Sequence, residues 1–157
     1  MREYISENLR KIVAERTKNR CEYCLIHEDD TFSGCHVDHI ISIKHGGTSY
    51  MENLAYACAF CNRAKGSDIG SIIWDTGQFV RFFNPREDKW ADHFFFDAEL
   101  IKTCTDIGKA TAQILKFNAT ERIEERKELI ANGRYFAVES SGIPMLRSSF
   151  PKGNSRQ

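Results

Sequence analysis

Two CxxC stretches, Cys21-Glu22-Tyr23-Cys24 and Cys58-Ala59-Phe60-Cys61, decide the fold of this chain. Zinc favours tetrahedral thiolate coordination, and a CxxC turn lets two sulfurs reach the same ion. The predicted zinc ligands are Cys21, Cys24, Cys58 and Cys61. Because protein sulfurs would fill all four positions, the ion is predicted to be structural, with no position left for water. The alternative is four buried reduced thiols, which requires the pairing to be a coincidence.

The composition of the 157 residues is that of a globular protein, with 41% hydrophobic and 11% aromatic residues. Lys and Arg number 22, as do Asp and Glu, so any binding of a polyanion must come from local clusters of charge. No apolar run is long enough to span a membrane, and the N-terminus lacks the apolar segment of a signal peptide. We therefore expect a cytoplasmic protein, where reducing conditions favour metal ligation over disulfides.

The sequence pattern predicts a compact unit around the cysteines. The predicted elements are a helix over 6–18, a strand over 35–43, a second strand over 54–57 and a helix over 59–65. Ser6 can cap the first helix, and Gly66 can end the last one. The order strand, loop, strand, helix predicts that both cysteine pairs border one small hairpin.

The rest of the chain predicts an extension of short strands and two helices, packed on or beside this unit. The predicted elements are strands over 79–83, 93–96 and 100–103, with the last two paired, and helices over 106–117 and 119–132. We assign the aromatic side chains of this region, including Trp74 and Phe79, to the core, although base stacking is the alternative. The predicted class is α+β, with a domain over 1–70, an extension over 71–139 and a flexible tail over 140–157.

Four polar residues beside the cysteines carry chemistry that a structural zinc does not need. Asp38 can bind a hard divalent cation such as Mg²⁺, and Asn62 offers a second oxygen ligand. His39 can take a proton from water near neutral pH. Asn53 can orient His39 by accepting a hydrogen bond from its other ring nitrogen. An activated water and a bound cation are what phosphodiester hydrolysis requires.

These residues resemble the motifs of the HNH endonucleases, whose ββα-metal core has a strand ending in Asp-His, a central Asn, and an Asn or His on the helix. The zinc-containing subset of that family also has two CxxC pairs at these places. The resemblance implies that His39 is the general base and that Asn53 positions it. It also implies that Asp38 and Asn62 bind the catalytic cation, Mg²⁺ or another divalent ion.

Parts of the extension resemble small stand-alone bacterial members of the same family. These parts are Phe82-Phe83-Asn84-Pro85-Arg86, Trp90-Ala91-Asp92-His93-Phe94 and Thr105-Asp106-Ile107-Gly108-Lys109-Ala110-Thr111. Many relatives have a proline shortly after the Asp-His pair, whereas this chain has Ile40-Ile41-Ser42-Ile43. We expect this departure to change the stiffness of the loop and to leave the site residues in place.

The leading interpretation is a metal-dependent endonuclease that nicks or cleaves DNA. RNA stays open as a substrate, and so do a monomer and a homodimer. Basic residues near the site are candidates for binding substrate phosphates, with solvated surface as the alternative: Lys44, His45, Arg63 and Lys65. The second interpretation is a non-catalytic zinc module that binds nucleic acid or protein, which needs the cysteines but has no use for Asp38 or His39.

Overall fold

The computed structural model describes residues 4–135, and the tail predicted over 140–157 lies outside the described residues. Helices and short antiparallel strands confirm the predicted α+β class. The first half contains α1 (Glu7–Arg16), β1 (Cys35–His39), β2 (Leu54–Cys58) and α2 (Ala59–Lys65). The extension contains β3 (Gly70–Ile73), β4 (Gln78–Arg81), α3 (Trp90–His93), β5 (Phe94–Asp97), β6 (Leu100–Thr103), α4 (Asp106–Ile114) and α5 (Thr120–Ala131). Within this described range, no helix is both long and apolar enough to cross a membrane.

Helix α1 covers one face of the β1–β2 hairpin. Its N-terminus is capped as predicted, because the Ser6 hydroxyl accepts a hydrogen bond from the Leu9 N–H at 3.2 Å. Val13 is fully buried and packs with Leu54 and Tyr56 of β2. Apolar packing therefore closes this face of the hairpin.

Strand β1 ends at His39, opposite Leu54. The prediction that it continues to Ile43 is wrong. The Ile41 N–H donates to Asn53 Oδ1 at 2.9 Å, and the Ile41 carbonyl accepts from Asn53 Nδ2 at 2.8 Å. Because a side chain bonds both backbone groups of Ile41, this residue cannot pair with β2. The strand stops there despite its β-branched sequence.

The extension shares one hydrophobic core with the first half of the chain. Buried members of this core are Tyr23, Ala55, Phe83, Phe94, Phe96, Ile101, Leu115 and Phe117. The pairing of β5 with β6 is confirmed. Strand β3 is missing from the prediction, because Gly70 and Ser71 at its start are weak strand formers. The division at residue 70 stays a prediction, and the core runs across it.

Three aromatic side chains assigned to the core are exposed instead. Trp74 is 79% exposed, Phe79 is 60% exposed and Phe95, which alternates with buried neighbours along β5, is 38% exposed. Helix α4 packs on the β3–β4 hairpin, where Ile73 is buried, while Phe79 lies opposite Ile72. A two-stranded hairpin has two faces, and α4 covers one of them. The assignment of Trp74, Phe79 and Phe95 to the core is therefore wrong.

Candidate metal and catalytic sites

The four predicted zinc ligands lie together at the end of the hairpin where β2 leads into α2. Their sulfur atoms all lie within 4.8 Å of one another, and all four side chains are buried. The Cys24 and Cys58 sulfurs are 3.8 Å apart. A tetrahedron with zinc–sulfur bonds of about 2.3 Å has edges of about 3.8 Å, so the spacing fits such an ion. The all-sulfur donor set points to zinc.

Each CxxC pair is a turn fixed by hydrogen bonds of the backbone. In the first turn, Leu25 adopts a left-handed conformation with φ of 66°, and its N–H donates to the Cys21 carbonyl at 2.9 Å. In the second turn, the Cys58 sulfur accepts a hydrogen bond from the Cys61 N–H at 3.4 Å. N–H groups directed at sulfur favour the thiolate form, which is the form that binds metal.

The extension holds the first CxxC turn from outside. Trp90 Nε1 donates to the Tyr23 carbonyl at 2.8 Å. Arg86, which follows β4, forms an ion pair with Glu22. Both contacts reach residues between the two cysteines of the turn, so packing of the extension also positions the sulfur ligands.

Arg122 of α5 reaches the second CxxC turn and was not among the predicted site residues. Its Nη1 lies 3.4 Å from Cys61 Sγ, and its Nη2 lies 3.7 Å from Cys58 Sγ. Burial alone would lower the pKa of Arg122, but the negative charges of Cys24, Cys61 and Cys58 as thiolates raise it above its usual value. In the sequence, Arg122 is one charge among many in a polar helix, so no spacing rule identifies it.

Asp38 lies on β1 and contacts α2, near the end of the hairpin that is away from the cysteines. Lys65, in the last turn of α2, places its Nζ 3.1 Å from Asp38 Oδ2 and donates to the His39 carbonyl at 2.9 Å. Burial raises the pKa of the Asp38 carboxyl above its usual range, and Lys65 offsets part of this rise. Apart from this ion pair, the buried Oδ2 has no hydrogen-bond partner within residues 4–135. The carboxylate of Asp38 therefore has an oxygen lone pair that could bind a hard cation.

His39 ends β1 and is partly exposed. Its Nε2 lies 2.8 Å from the hydroxyl oxygen of Ser49, in the loop that joins β1 to β2. If the Nε2–H donates to this hydroxyl, the Nδ1 lone pair is available to accept a proton from water. Ser49 is missing from the prediction, because a serine in a polar loop gives no sign of its partner.

Asn53 does not bond to His39, contrary to expectation. Its Oδ1 accepts from the Ile41 N–H, and its Nδ2 donates to the Ile41 and Thr48 carbonyls, each at 2.8 Å. The predicted hydrogen bond to the imidazole is therefore wrong, because backbone groups use the amide and Ser49 pairs with Nε2. Asn53 instead bonds to the loop that carries Ser49, and Ser49 in turn contacts His39. Its effect on His39 is therefore indirect.

The same loop requires a glycine at position 47. A Cβ atom there would lie 1.7 Å from the Ile41 carbonyl oxygen and 2.7 Å from Asn53 Nδ2. No rotation of a side chain relieves a contact with a backbone oxygen. Gly47 therefore allows the close approach on which the bonds of Asn53 depend.

Asn62 lies three residues before Lys65 on α2, and residues at this spacing share a face of a helix. Because Lys65 contacts Asp38, this face is the one directed at β1. The spacing therefore puts Asn62 on the side of α2 that carries Lys65. Lys65 itself is only 2% exposed, so its predicted contact with a substrate phosphate is wrong.

The other predicted phosphate ligands are exposed, but in two different places. Arg63 lines a groove that also contains Glu121 and Glu125 of α5, whose carboxylates repel a phosphate. Lys44 and His45 lie on a 3₁₀ turn in the loop after β1. Only this second pair lies on the loop that carries Ser49.

The HNH endonuclease family model matches residues 21–68. This segment contains both CxxC turns, the β1–β2 hairpin, α2 and the polar residues around His39. Residues 21–68 are an HNH endonuclease domain. Comparisons with curated proteins and with solved structures found no match for the chain. The HNH domain is of nuclease type, and its cysteine cluster and its Asp38–His39 pair lie at opposite ends of one hairpin.

Proposed function

We propose that the chain is a metal-dependent endonuclease that hydrolyses phosphodiester bonds of DNA. The observation that carries the proposal is the contact between His39 Nε2 and Ser49 Oγ at 2.8 Å, at the strand end where Asp38 also lies. When the Nε2–H donates to this hydroxyl, Nδ1 is the ring nitrogen that can accept a proton. A domain that only binds nucleic acid has no need of an oriented base.

His39 is the general base in this proposal. Its Nδ1 takes a proton from a water molecule, whose oxygen forms a bond to phosphorus. The bond between phosphorus and the 3′-oxygen breaks, and the products carry a 5′-phosphate and a 3′-hydroxyl that takes its proton from solvent. General-base catalysis of this kind contributes roughly 10² to 10⁴-fold to a rate.

Asp38 and Asn62 are the proposed ligands of the catalytic cation, with Mg²⁺ as the first candidate. Their chemistry fits, because a carboxylate and an amide supply the oxygen donors that Mg²⁺ prefers. When bound, such an ion stabilises the negative charge that develops on the phosphate oxygens. Lys65 holds the Asp38 carboxylate in position from below. Lys44 and His45 remain proposed contacts for a substrate phosphate.

The remaining features follow from the same proposal. Zinc on the four cysteines is structural, and the unit over 1–70 is supported by an extension over 71–139. One site cleaves one strand at a time, so a monomer is expected to nick DNA. A double-strand break requires a homodimer or two separate cleavage events. RNA is the alternative substrate. The resemblance to small stand-alone bacterial members supports a cytoplasmic enzyme.

Replacing His39 by alanine tests the proposal in a plasmid-relaxation assay with Mg²⁺. We expect the rate of nicking to fall by roughly 10² to 10⁴-fold. The matched control is His36→Ala, because His36 is exposed on the same strand, opposite Ala57. Zinc content and thermal unfolding should match wild type in both variants. Undiminished cleavage by purified H39A protein would contradict the assignment of the base.

The second candidate function is a non-catalytic zinc module that binds nucleic acid or protein. The ion pair between Lys65 and Asp38 is the observation that favours it, because an ammonium group already neutralises the carboxylate. This candidate predicts that the intact chain does not cut DNA, whichever divalent cation is supplied. Cleavage that depends on both Mg²⁺ and His39 rejects it.

A further inference from the structure

Arg122 is a charged residue buried against the metal-binding end of the HNH domain. Its side chain belongs to α5 in the extension and is 4% exposed. Burying a guanidinium group without partners costs several kcal/mol, so the groups around it must compensate for its charge. The groups in contact with it are two cysteine sulfurs, the Leu115 carbonyl at 3.4 Å and the Phe60 ring, whose centroid lies 4.3 Å from Cζ. The carboxylate of Glu125, on the same helix, also interacts with it electrostatically.

The two sulfurs are both proposed ligands of the zinc ion. Nη1 lies 3.4 Å from Cys61 Sγ, and Nη2 lies 3.7 Å from Cys58 Sγ, so the two arms of one guanidinium reach both cysteines of the second CxxC turn. Four thiolates around one dication leave two negative charges in a buried site. One guanidinium cation offsets half of that charge. The fork of Arg122 also fixes where the two sulfurs lie.

We infer that Arg122 is an outer-sphere residue of the four-cysteine metal site, and that it couples retention of the metal to docking of α5. The metal-bound sulfurs give the buried guanidinium its counter-charge, and the guanidinium stabilises the sulfurs in the positions that bind metal. Each event therefore favours the other, as linkage requires. The inference rests on the proposed zinc and is independent of nuclease activity.

Arg126 provides a matched control on the same helix. It lies one turn beyond Arg122 and is 2% exposed. Its Nη2 donates to the Phe117 carbonyl at 2.7 Å, and its Nη1 lies 3.4 Å from Asn118 Oδ1. Because Arg126 bonds to the backbone and to an amide, its replacement leaves both donors of Arg122 in contact with the sulfurs.

The experiment compares R122Q, R122K and R126Q in the full chain. Zinc content is measured on purified protein, and the rate of zinc release is then followed with a colorimetric chelator in excess. Loss of an outer-shell partner costs roughly 10- to 100-fold in metal affinity. We expect R122Q to release zinc faster by roughly that factor, R122K to fall between R122Q and wild type, and R126Q to release zinc within about threefold of wild type. Equal release rates for R122Q and wild type overturn the inference, and so does an equal acceleration in R122Q and R126Q.

A second measurement needs no variant and covers the case in which R122Q does not fold. Wild-type protein is stripped of zinc by the chelator, and amide hydrogen exchange is compared with that of the zinc-loaded protein. We expect the amides of α5 to lose protection together with those of the second CxxC turn, while α4 keeps more of its own. Protection of α5 that is unchanged by zinc removal overturns the coupling. Neither measurement involves DNA, so a negative result here is distinct from a failure of the proposed nuclease.

Discussion

The two ends of the β1–β2 hairpin each place a buried cation against anionic groups, and they differ in what surrounds the pair. At the cysteine end, Arg122 contacts two sulfurs, and protein atoms bury all four cysteines. At the other end, Lys65 contacts Asp38, while His39 is partly exposed beside a loop. A closed, fully ligated site can only hold its ion in place. An open strand end can admit water, a second ion and a substrate, which is what catalysis requires.

The largest loss of stability is expected from Cys61→Ser, which removes one of the four sulfur ligands at the closed end. Binding of structural zinc is worth about 10 to 16 kcal/mol in small domains, and this free energy contributes to folding. We expect the variant to lose zinc and the cooperative thermal transition seen by circular dichroism. Cys104→Ser is the matched control, because Cys104 is exposed and lies outside the cluster. A C61S protein with bound zinc and wild-type unfolding would contradict a closed structural site.

The next largest effect is expected from Lys65→Met at the open end. Removing one partner of a buried ion pair costs about 3 to 5 kcal/mol, which should appear as a lower free energy of unfolding in urea. Because burial of Asp38 then acts without the opposing charge of Lys65, the pKa of its carboxyl rises further. Only the carboxylate form binds a cation, so the acid limb of the cleavage-rate profile should move to higher pH. A shift of this limb to lower pH would contradict the role assigned to the ion pair between Lys65 and Asp38.

A smaller effect is expected from Gly47→Ala, which forces the loop away from Ile41. Misplacing a catalytic group by about 1 Å can cost roughly 10²-fold in rate, and we expect a loss of this order in plasmid nicking. Zinc content should not change, because the loop lies at the open end. Gly46→Ala is the control, since the space around its Cβ position is open and only its φ of 83° opposes the substitution. Wild-type nicking by G47A would show that the loop does not position His39.

The smallest effect is expected from Ser49→Ala. One hydrogen bond is worth about 0.5 to 1.5 kcal/mol, so cleavage should slow by roughly threefold to tenfold. Ser49→Thr keeps the hydroxyl and should restore most of the rate. Zinc content should not change, because Ser49 lies in the loop at the end of the hairpin away from the cysteines. Cleavage by S49A at the wild-type rate would show that Ser49 does not contribute to the site.

The sequence predicts those parts of the molecule whose determinants are local. The CxxC spacing predicts the cysteine cluster, because each turn is only four residues long and tetrahedral zinc needs the sulfurs of both turns. The bounds of α2 are predicted for the same reason, since Gly66 ends it. Arg122 and Ser49 are missed because the fold determines their partners, and Arg122 is 61 positions from Cys61 in the sequence. The direct bond from Asn53 to His39 fails for a related reason, since the backbone of the folded loop competes for the same amide.

The most direct test of two different metal sites on one hairpin is a crystal structure of the wild-type protein grown with Mn²⁺, with anomalous data collected at the zinc and manganese edges. We expect a zinc peak among the sulfurs of Cys21, Cys24, Cys58 and Cys61, and a separate manganese peak at Asp38 and Asn62. A manganese peak among the sulfurs, or an Asp38 bonded only to Lys65 at saturating Mn²⁺, would contradict it.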